Sequence, residues 1–443
     1  MPKEESIWSP LPARSMTKVT TLPNGVRLVL HPMPHALSVS VGFFLVAGLE
    51  QESDRQNGLA HFLEHMVFKG TKNRTAKQIV VEVDAMGAVI NAYTSREFTS
   101  FYLTSLPAYV RQSIEILSDM VLHATLDPVD VDRERAVIFE EIDMVEDTPD
   151  DRIFDLLSGV SWPRAKRGRP VLGTRESLQN ITPASLRRFR ELYRDPERMV
   201  VVVAGQFEPA SVKRTVEKYV GRLSKKNTNV TFEKMAFDGS AVWMDKATEQ
   251  AHVALGIPAP SLQDDDQFGF MVLSTVLGGS MSSRLFQKVR ERHGLAYSIF
   301  THYTPTHHAG AMSVYAGVNS GNIRRVLRIV RDELIRIQDK TVNRAELQKA
   351  KAHLIGNLQL GLEQTSSWMN WLGKSLLDYG RIVSLDEINR RIQSVEPADL
   401  QRLAQKNIRW PDISLALIGP RPGRIPIEGN TAEMATHLKW NWS

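Results

Sequence analysis

The sequence predicts an α+β fold: two homologous α/β sandwich domains, each an antiparallel sheet covered by helices, related by internal duplication. Three observations predict it. A Pro-x-(Asp/Ser)-Leu helix start recurs at a fixed offset, β-rich runs alternate with long helical stretches, and the composition suits large buried cores.

The repeat is the strongest of the three. "ITPASL" (181–186) precedes a helical stretch and then "MVVVVAG", while "VEPADL" (395–400) precedes a helical stretch and then "ISLALIG". Pro183 and Gly205 lie 22 residues apart, as do Pro397 and Gly419, and Leu186 and Leu400 keep the same 214-residue offset. Matched spacing in two halves of near-equal length points to duplication.

The 443 residues exceed one typical core and suit two or three domains. Hydrophobic residues make up 42% and charged residues 24%, which excludes a disordered or fibrous chain. There is no cysteine, so any transition-metal site must use histidine and carboxylate ligands. The net charge of +5 comes without like-charge runs or basic–aromatic interleaving, which argues against a nucleic-acid partner. No apolar run reaches the length of a membrane span, and the N-terminus carries neither a signal nor a transit pattern. A cytoplasmic chain is expected, although one whose leader had been removed would look the same.

Taken in order, residues 1–16 read as a flexible tail. "TLPNGVRLVLHPMP" has an Asn-Gly turn signal followed by alternating apolar residues, a hairpin pattern, and "SVSVGFFLVAG" (38–48) is a further strand. "GLAHFLEHMVFKGT" (58–71) is an amphipathic helix. "INAYTSREFTSFY" (90–102) alternates like an exposed strand. "LDPVDVDRERAVIFEEIDMVEDTPDD" (126–151) starts a helix, with Asp127 as N-cap and Pro128 as first residue. The polar "GRLSKKNTNVTFEK" (221–234) is the natural linker. The expected boundaries are an N-terminal domain over 17–220, a linker over 221–240 and a C-terminal domain over 241–443.

Two of these helices carry chemistry. On the first, Leu59, Phe62, Leu63, Met66 and Val67 share one side, while His61, Glu64 and His65 fall opposite. Histidines four apart project from one face and can grip one ion, and Glu64 lies where it could reach a water without being a ligand. The plain alternative is a polar helix face that happens to hold these types. On the second helix, Val131, Ile138, Ile142 and Val145 form a stripe with Glu134 and Glu141 at its edge, and Glu140 points away. Carboxylates on a core-facing flank must be paired, hydrogen-bonded or metal-bound. Ion pairs to a neighbouring helix would suffice. A carboxylate presented to the His61/His65 face would instead complete a His2Glu zinc site with an open fourth position, a catalytic arrangement.

"HFLEHMVFKGT", "MGAVINAYTSREFTSFY", "DRERAVIFEE" and "LGGSMSSRLFQKVRERHGLAYS" together resemble, in order, the pitrilysin–insulysin–mitochondrial processing peptidase family over roughly residues 17–420. The length resembles its smaller, two-domain subfamily. The resemblance implies that His61, His65 and Glu141 ligate zinc, that Glu64 is the general base, and that Glu134 is an accessory glutamate. It implies that Asn91, Ala92 and Tyr93 lie on an edge strand that pairs with bound peptide. It also implies that Arg290 and Tyr297, otherwise a plain surface arginine and core tyrosine, hold substrate and stabilise the oxyanion. That pair sits in the second half, so a composite site is implied, with Arg290 and Tyr297 reaching the zinc of a partner chain. The second half has no H-x-x-E-H; "SSRLFQKVRE" occupies roughly the corresponding place, so one zinc per chain is expected. The long glycine-rich loop of non-catalytic processing-peptidase α subunits is not apparent.

The expectation is therefore a zinc metalloendopeptidase acting on peptides or unfolded protein segments in an enclosed, dimeric chamber. Two alternatives stand beside it: a non-catalytic assembly subunit of the same family, and a catalytic subunit that needs a different, homologous partner chain.

Overall fold

The computed structural model describes residues 17–226, 232 and 235–421, with the backbone of 428–430. The expected tail, part of the expected linker (227–231 and 233–234) and most residues after 421 lie outside the described residues.

The first half runs β1 (Lys18–Thr21), β2 (Arg27–Pro32), β3 (Val39–Leu45), α1 (Leu59–Val67), α2 (Ala76–Ala85), β4 (Val89–Thr94) and β5 (Thr99–Ser105). It continues through α3 (Val110–His123), α4 (Pro128–Glu146), α5 (Pro149–Ser161), α6 (Arg175–Gln179), α7 (Pro183–Tyr193), β6 (Met199–Gly205) and α8 (Pro209–Val220). The second half runs β7 (Ser240–Asp245), β8 (Ala251–Ala259), α9 (Gln267–Gly278), β9 (Ala296–Pro305), β10 (Gly310–Val318) and α10 (Ile323–Asp339). It ends with α11 (Arg344–Gly361), α12 (Thr365–Tyr379), α13 (Leu385–Gln393), α14 (Pro397–Asn407), β11 (Ser414–Gly419) and β12 (Glu428–Asn430). No described helix is long and apolar enough to cross a membrane.

The two halves build two six-stranded sheets, ordered β1-β2-β6-β3-β5-β4 and β12-β7-β11-β8-β10-β9. Each sheet is mixed rather than wholly antiparallel, as the sequence had suggested. β6 pairs parallel with β2 and antiparallel with β3, and β11 pairs parallel with β7 and antiparallel with β8. The reason is geometric. A late strand inserted between two strands of opposite direction must run parallel to one of them.

The duplication extends beyond the motif that announced it. α7 and α14 start and end 214 residues apart, and Gly205 and Gly419 both sit at positive φ, 130° and 144°. Buried ion pairs repeat at the same offset. Arg74 Nη1 lies 3.0 Å from Asp119, and Lys288 pairs with Glu333. These acids are almost wholly buried, where a charge persists only with a partner.

Each sheet is covered on both faces. In the first half, α1 and α3 pack on one face. The other face is covered from the second half: Met369, Leu372 and Leu376 of α12 pack against Val29, Phe44, Val200 and Val202. Reciprocally, Ile153 and Leu157 of α5, in the first half, pack against Ala254, Tyr315, Ala416 and Ile418 of the second sheet. Two-sided burial explains why β3 and β6 are apolar without alternation. The α12 crossing is close. A Cβ on Gly42 would fall 2.2 Å from Met369 Sδ, and one on Gly373 would fall 2.4 Å from the Phe44 ring.

The segment 90–102 is a hairpin rather than the single exposed strand its alternation suggested: β4, a turn over 95–98, then β5. No Gly, Pro or Asn marks the turn. Ser95 makes it with its side chain, accepting from the Glu97 and Phe98 amides and donating to the Phe98 carbonyl. β4 ends the sheet and β5 lies inside it.

Candidate functional site

α1 has no polar N-cap of its own; Gly58, at φ 91°, precedes it. Glu52 supplies the cap from upstream. Its carboxylate accepts the Gly58 and Ala60 amides at 2.8 and 2.7 Å and the Asn57 side-chain amide at 3.2 Å. These bonds satisfy donors that a helix start leaves open and place negative charge at its positive end. Burial pushes the Glu52 carboxyl up to about 7 in spite of those three donors. A side chain at position 58 would fall 2.6 Å from the Leu172 carbonyl oxygen, so the helix entry is fixed by backbone contact.

Seated this way, α1 turns Leu59, Phe62, Leu63, Met66 and Val67 into the core, His61 and His65 toward α4, and Glu64 toward the end of β4. α4 starts at Pro128, with Asp127 accepting the Val129 amide at 2.8 Å. Two turns separate Glu134 from Glu141, and both meet α1. His61 Nε2 and His65 Nε2 are 3.3 Å apart, and Glu141 Oε2 lies 3.6 and 3.5 Å from them. Among the described residues, this is the one group of three able to hold a metal.

Glu134 does not join the triangle. It stands behind His65, with Oε2 at 3.2 Å from Nδ1, and Lys69 Nζ lies 2.5 Å from its other oxygen. Burial, with His65 adding, pushes the His61 imidazole down to about 3, which keeps it neutral and able to donate a lone pair. The Glu64 carboxylate accepts the Thr94 hydroxyl at 2.5 Å. Burial raises Glu64 above the ordinary carboxyl value, and the nearby Glu141 adds to it, against Thr94 and His65.

Asn91, Ala92 and Tyr93 lie on β4, at the open edge of the first sheet. The Asn91 side chain accepts the Ala92 amide at 2.8 Å. The Tyr93 side chain is turned inward, its hydroxyl 3.2 Å from Asn370 of α12. Arg290 and Tyr297 meet each other: the guanidinium is 5.6 Å from the ring centroid, in a π-helical turn (Phe286–Arg292) leading into β9. Tyr297 is 77% exposed, not a core residue. Neither residue hydrogen-bonds or ion-pairs with the His61–His65–Glu141 group in its own chain.

In the second half, the place of α1 is taken by α9 and not by "SSRLFQKVRE". α1 packs on β4, α4 and α7, and α9 packs on their repeat counterparts β9, α11 and α14. The sequence of α9, QFGFMVLSTVLG, contains no histidine or acid. Residues that sequence reasoning missed are Glu52, Lys69 and Thr94. Lys69, four after His65, was visible as a helix-spaced neighbour; the other two carry no local signal.

Family and structural comparisons bear on this arrangement. The insulinase family (peptidase family M16) profile matches residues 27–175, and the peptidase M16 inactive domain profile matches residues 180–354. An uncharacterized zinc protease of Bacillus subtilis is 36% identical over 93% of this chain and 100% of its own. The mitochondrial-processing peptidase subunit beta of Blastocladiella emersonii is 33% identical over 91% of this chain and 89% of its own. A protease structure from Helicobacter pylori shares the fold, with a TM-score of 0.86 at 23% identity over 91% of this chain and 99% of that one. The matches span both halves, and on that footing the chain belongs to the insulinase family of peptidases, family M16.

Proposed function

We propose that this chain is a zinc-dependent endopeptidase with Glu64 as general base. The observation that carries the reading is the donor triangle. Tetrahedral zinc with bonds of about 2.0–2.2 Å places its ligands roughly 3.3–3.6 Å apart. The three separations of 3.3, 3.5 and 3.6 Å match that spacing, so the residues fit the ion. His61, His65 and Glu141 would hold it, with one position open. Absence of such residues on α9 supports one zinc per chain.

When bound, zinc supplies Lewis-acid charge at that open position. The remaining work falls to the chain. Glu64 Oε2 is held by Thr94, leaving the carboxylate to take a proton from the attacking water and return it to the leaving amine. Glu134 orients His65 through Nδ1. Peptide adds to the free edge of β4 at Asn91–Tyr93, with the Asn91 side chain yielding the Ala92 amide to the incoming backbone. Backbone pairing favours extended peptides and unfolded segments.

Arg290 and Tyr297 stabilise charge on the carbonyl oxygen from a partner chain, which makes the working unit a dimer closed around its substrate. Exposure of the Tyr297 ring beside a guanidinium, away from its own chain's metal group, supports that role. A second reading has a homologous but different chain as partner, as the word subunit in the name of the Blastocladiella relative suggests. Glu64→Gln tests the core of the proposal. It should keep zinc and lose peptide hydrolysis by about 100-fold or more. Hydrolysis at the wild-type rate would sink it. An inactive monomer that gains activity with a homologous chain would select the second reading.

A further inference from the structure

A cavity of about 430 Å³ lies between the halves, bounded by α5, the β4–β5 turn and the inner face of β9 and β10. Two guanidiniums line it, those of Arg96 and Arg167. Arg96 donates to the Arg167 carbonyl and the Ser158 hydroxyl, both at 3.0 Å. The Arg167 residue is 7% exposed, and its guanidinium makes neither a hydrogen bond nor an ion pair with any described residue. Glu50 and Glu97 attract it only from beyond ion-pair distance. Burial, with Arg96 adding, pushes Arg167 down to about 10.

A guanidinium on a largely buried residue with no hydrogen-bond partner in the protein is costly unless something reaching it through the cavity takes its N–H groups. The cavity wall holds one acid, Asp155, whose carboxyl is raised by burial and drawn back by Arg96 and Arg152. His302 is held below the ordinary imidazole value by burial. Buried Glu50, outside the lining, attracts both guanidiniums without ion-pairing with Arg167, so the Arg167 fork stays open toward a wall that mixes Phe154, Leu157, Trp162 and Phe300 with serine and threonine hydroxyls.

We propose that this cavity is a carboxylate-binding subsite for peptides, in which Arg167 and Arg96 take the carboxylate and the aromatic wall takes the apolar part beside it. A fork of N–H donors suits a carboxylate in geometry as well as in charge. Arg96 follows Thr94 by two residues, at the turn closing the edge strand β4, which ties the cavity wall in sequence to the proposed peptide-pairing strand. Its use as a substrate subsite rests on the peptidase reading; its anion binding does not.

The test uses the full chain, stripped of metal, and calorimetric titration with N-acetyl-phenylalanine and its amide. The acid should bind saturably and at least about 10-fold more tightly than the amide. Arg167→Met should abolish that preference while the variant stays folded. The methylamide of N-acetyl-aspartate, with only a side-chain carboxylate, distinguishes an internal acidic residue from a chain end. Equal binding of acid and amide would overturn the proposal. So would a preference that survives Arg167→Met, or a variant that fails to fold, since the arginine would then be structural. Binding is read without zinc or turnover, so failure of the peptidase reading would leave this result standing.

Discussion

Glu134 steadies His65 from the facing helix: Oε2 lies 3.2 Å from Nδ1, and Lys69 fixes the other oxygen at 2.5 Å. A carboxylate on the far nitrogen of a metal-ligating histidine sets its tautomer and raises its basicity. Glu134→Gln is expected to weaken zinc binding by about 10- to 100-fold, read by competition with a chelator of known affinity. Unchanged affinity would reduce Glu134 to a packing role.

The proposed composite site predicts complementation. Chains carrying Glu64→Gln and chains carrying Tyr297→Phe should each be nearly inactive alone. Mixed after dissociation and reassociation, they should regain about a quarter of wild-type activity, since half the dimers then hold one intact site. No recovery, with dimers shown to exchange, would place the Tyr297 function elsewhere.

Gly373 lies where α12 crosses Phe44, with no room for a methyl group. Gly373→Ala should destabilise by about 1–3 kcal/mol in denaturant titration. Because α12 belongs to one half and Phe44 to the other, both halves should lose stability in a single transition. Two separated transitions would show that the halves fold independently.

Glu97 in the β4–β5 turn meets His307 in the β9–β10 turn, Oε1 to Nδ1 at 3.3 Å, joining the halves. Burial opposes charging of His307, but Glu97, Asp378 and the Leu377 carbonyl together raise it above its ordinary 6.5. The stability it contributes is therefore present below about pH 6.5 and is lost as pH rises through the raised value. Glu97, held below its ordinary value, contributes above about 4.5 and loses that in acid. Burial pushes Asp378 up to about 6, so stability also falls as it ionises. The melting-temperature advantage of wild type over His307→Asn should be larger near pH 6 than near pH 8.5. A constant difference would show that the pair is not an ion pair.

Helix periodicity placed His61 and His65 on one face four apart, and it marked Glu134 and Glu141 because carboxylates on an apolar flank demand a local reason. The repeat was legible where spacing had been kept, at α7–β6 and α14–β11. Other features left no such trace. The β4–β5 turn is built by a serine hydroxyl, so neither glycine nor proline marks it. The parallel pairing of β2 with β6 depends on where a late strand inserts, which no local pattern records. Glu52 caps α1 through a fold of the loop, and Thr94 reaches Glu64 across the sheet edge. The paired ions Arg74–Asp119 and Lys288–Glu333 are spaced 45 residues apart in both halves, far outside any helical or strand period.

The reciprocal placement of α5 and α12 has a consequence for ancestry and for cutting the molecule. A single-repeat ancestor folded this way would have left one sheet face bare, and two copies could have closed it only by swapping that helix. Fusion made the swapped pair covalent. Severing the chain between β6 and β7 should accordingly yield fragments that fold only when co-expressed.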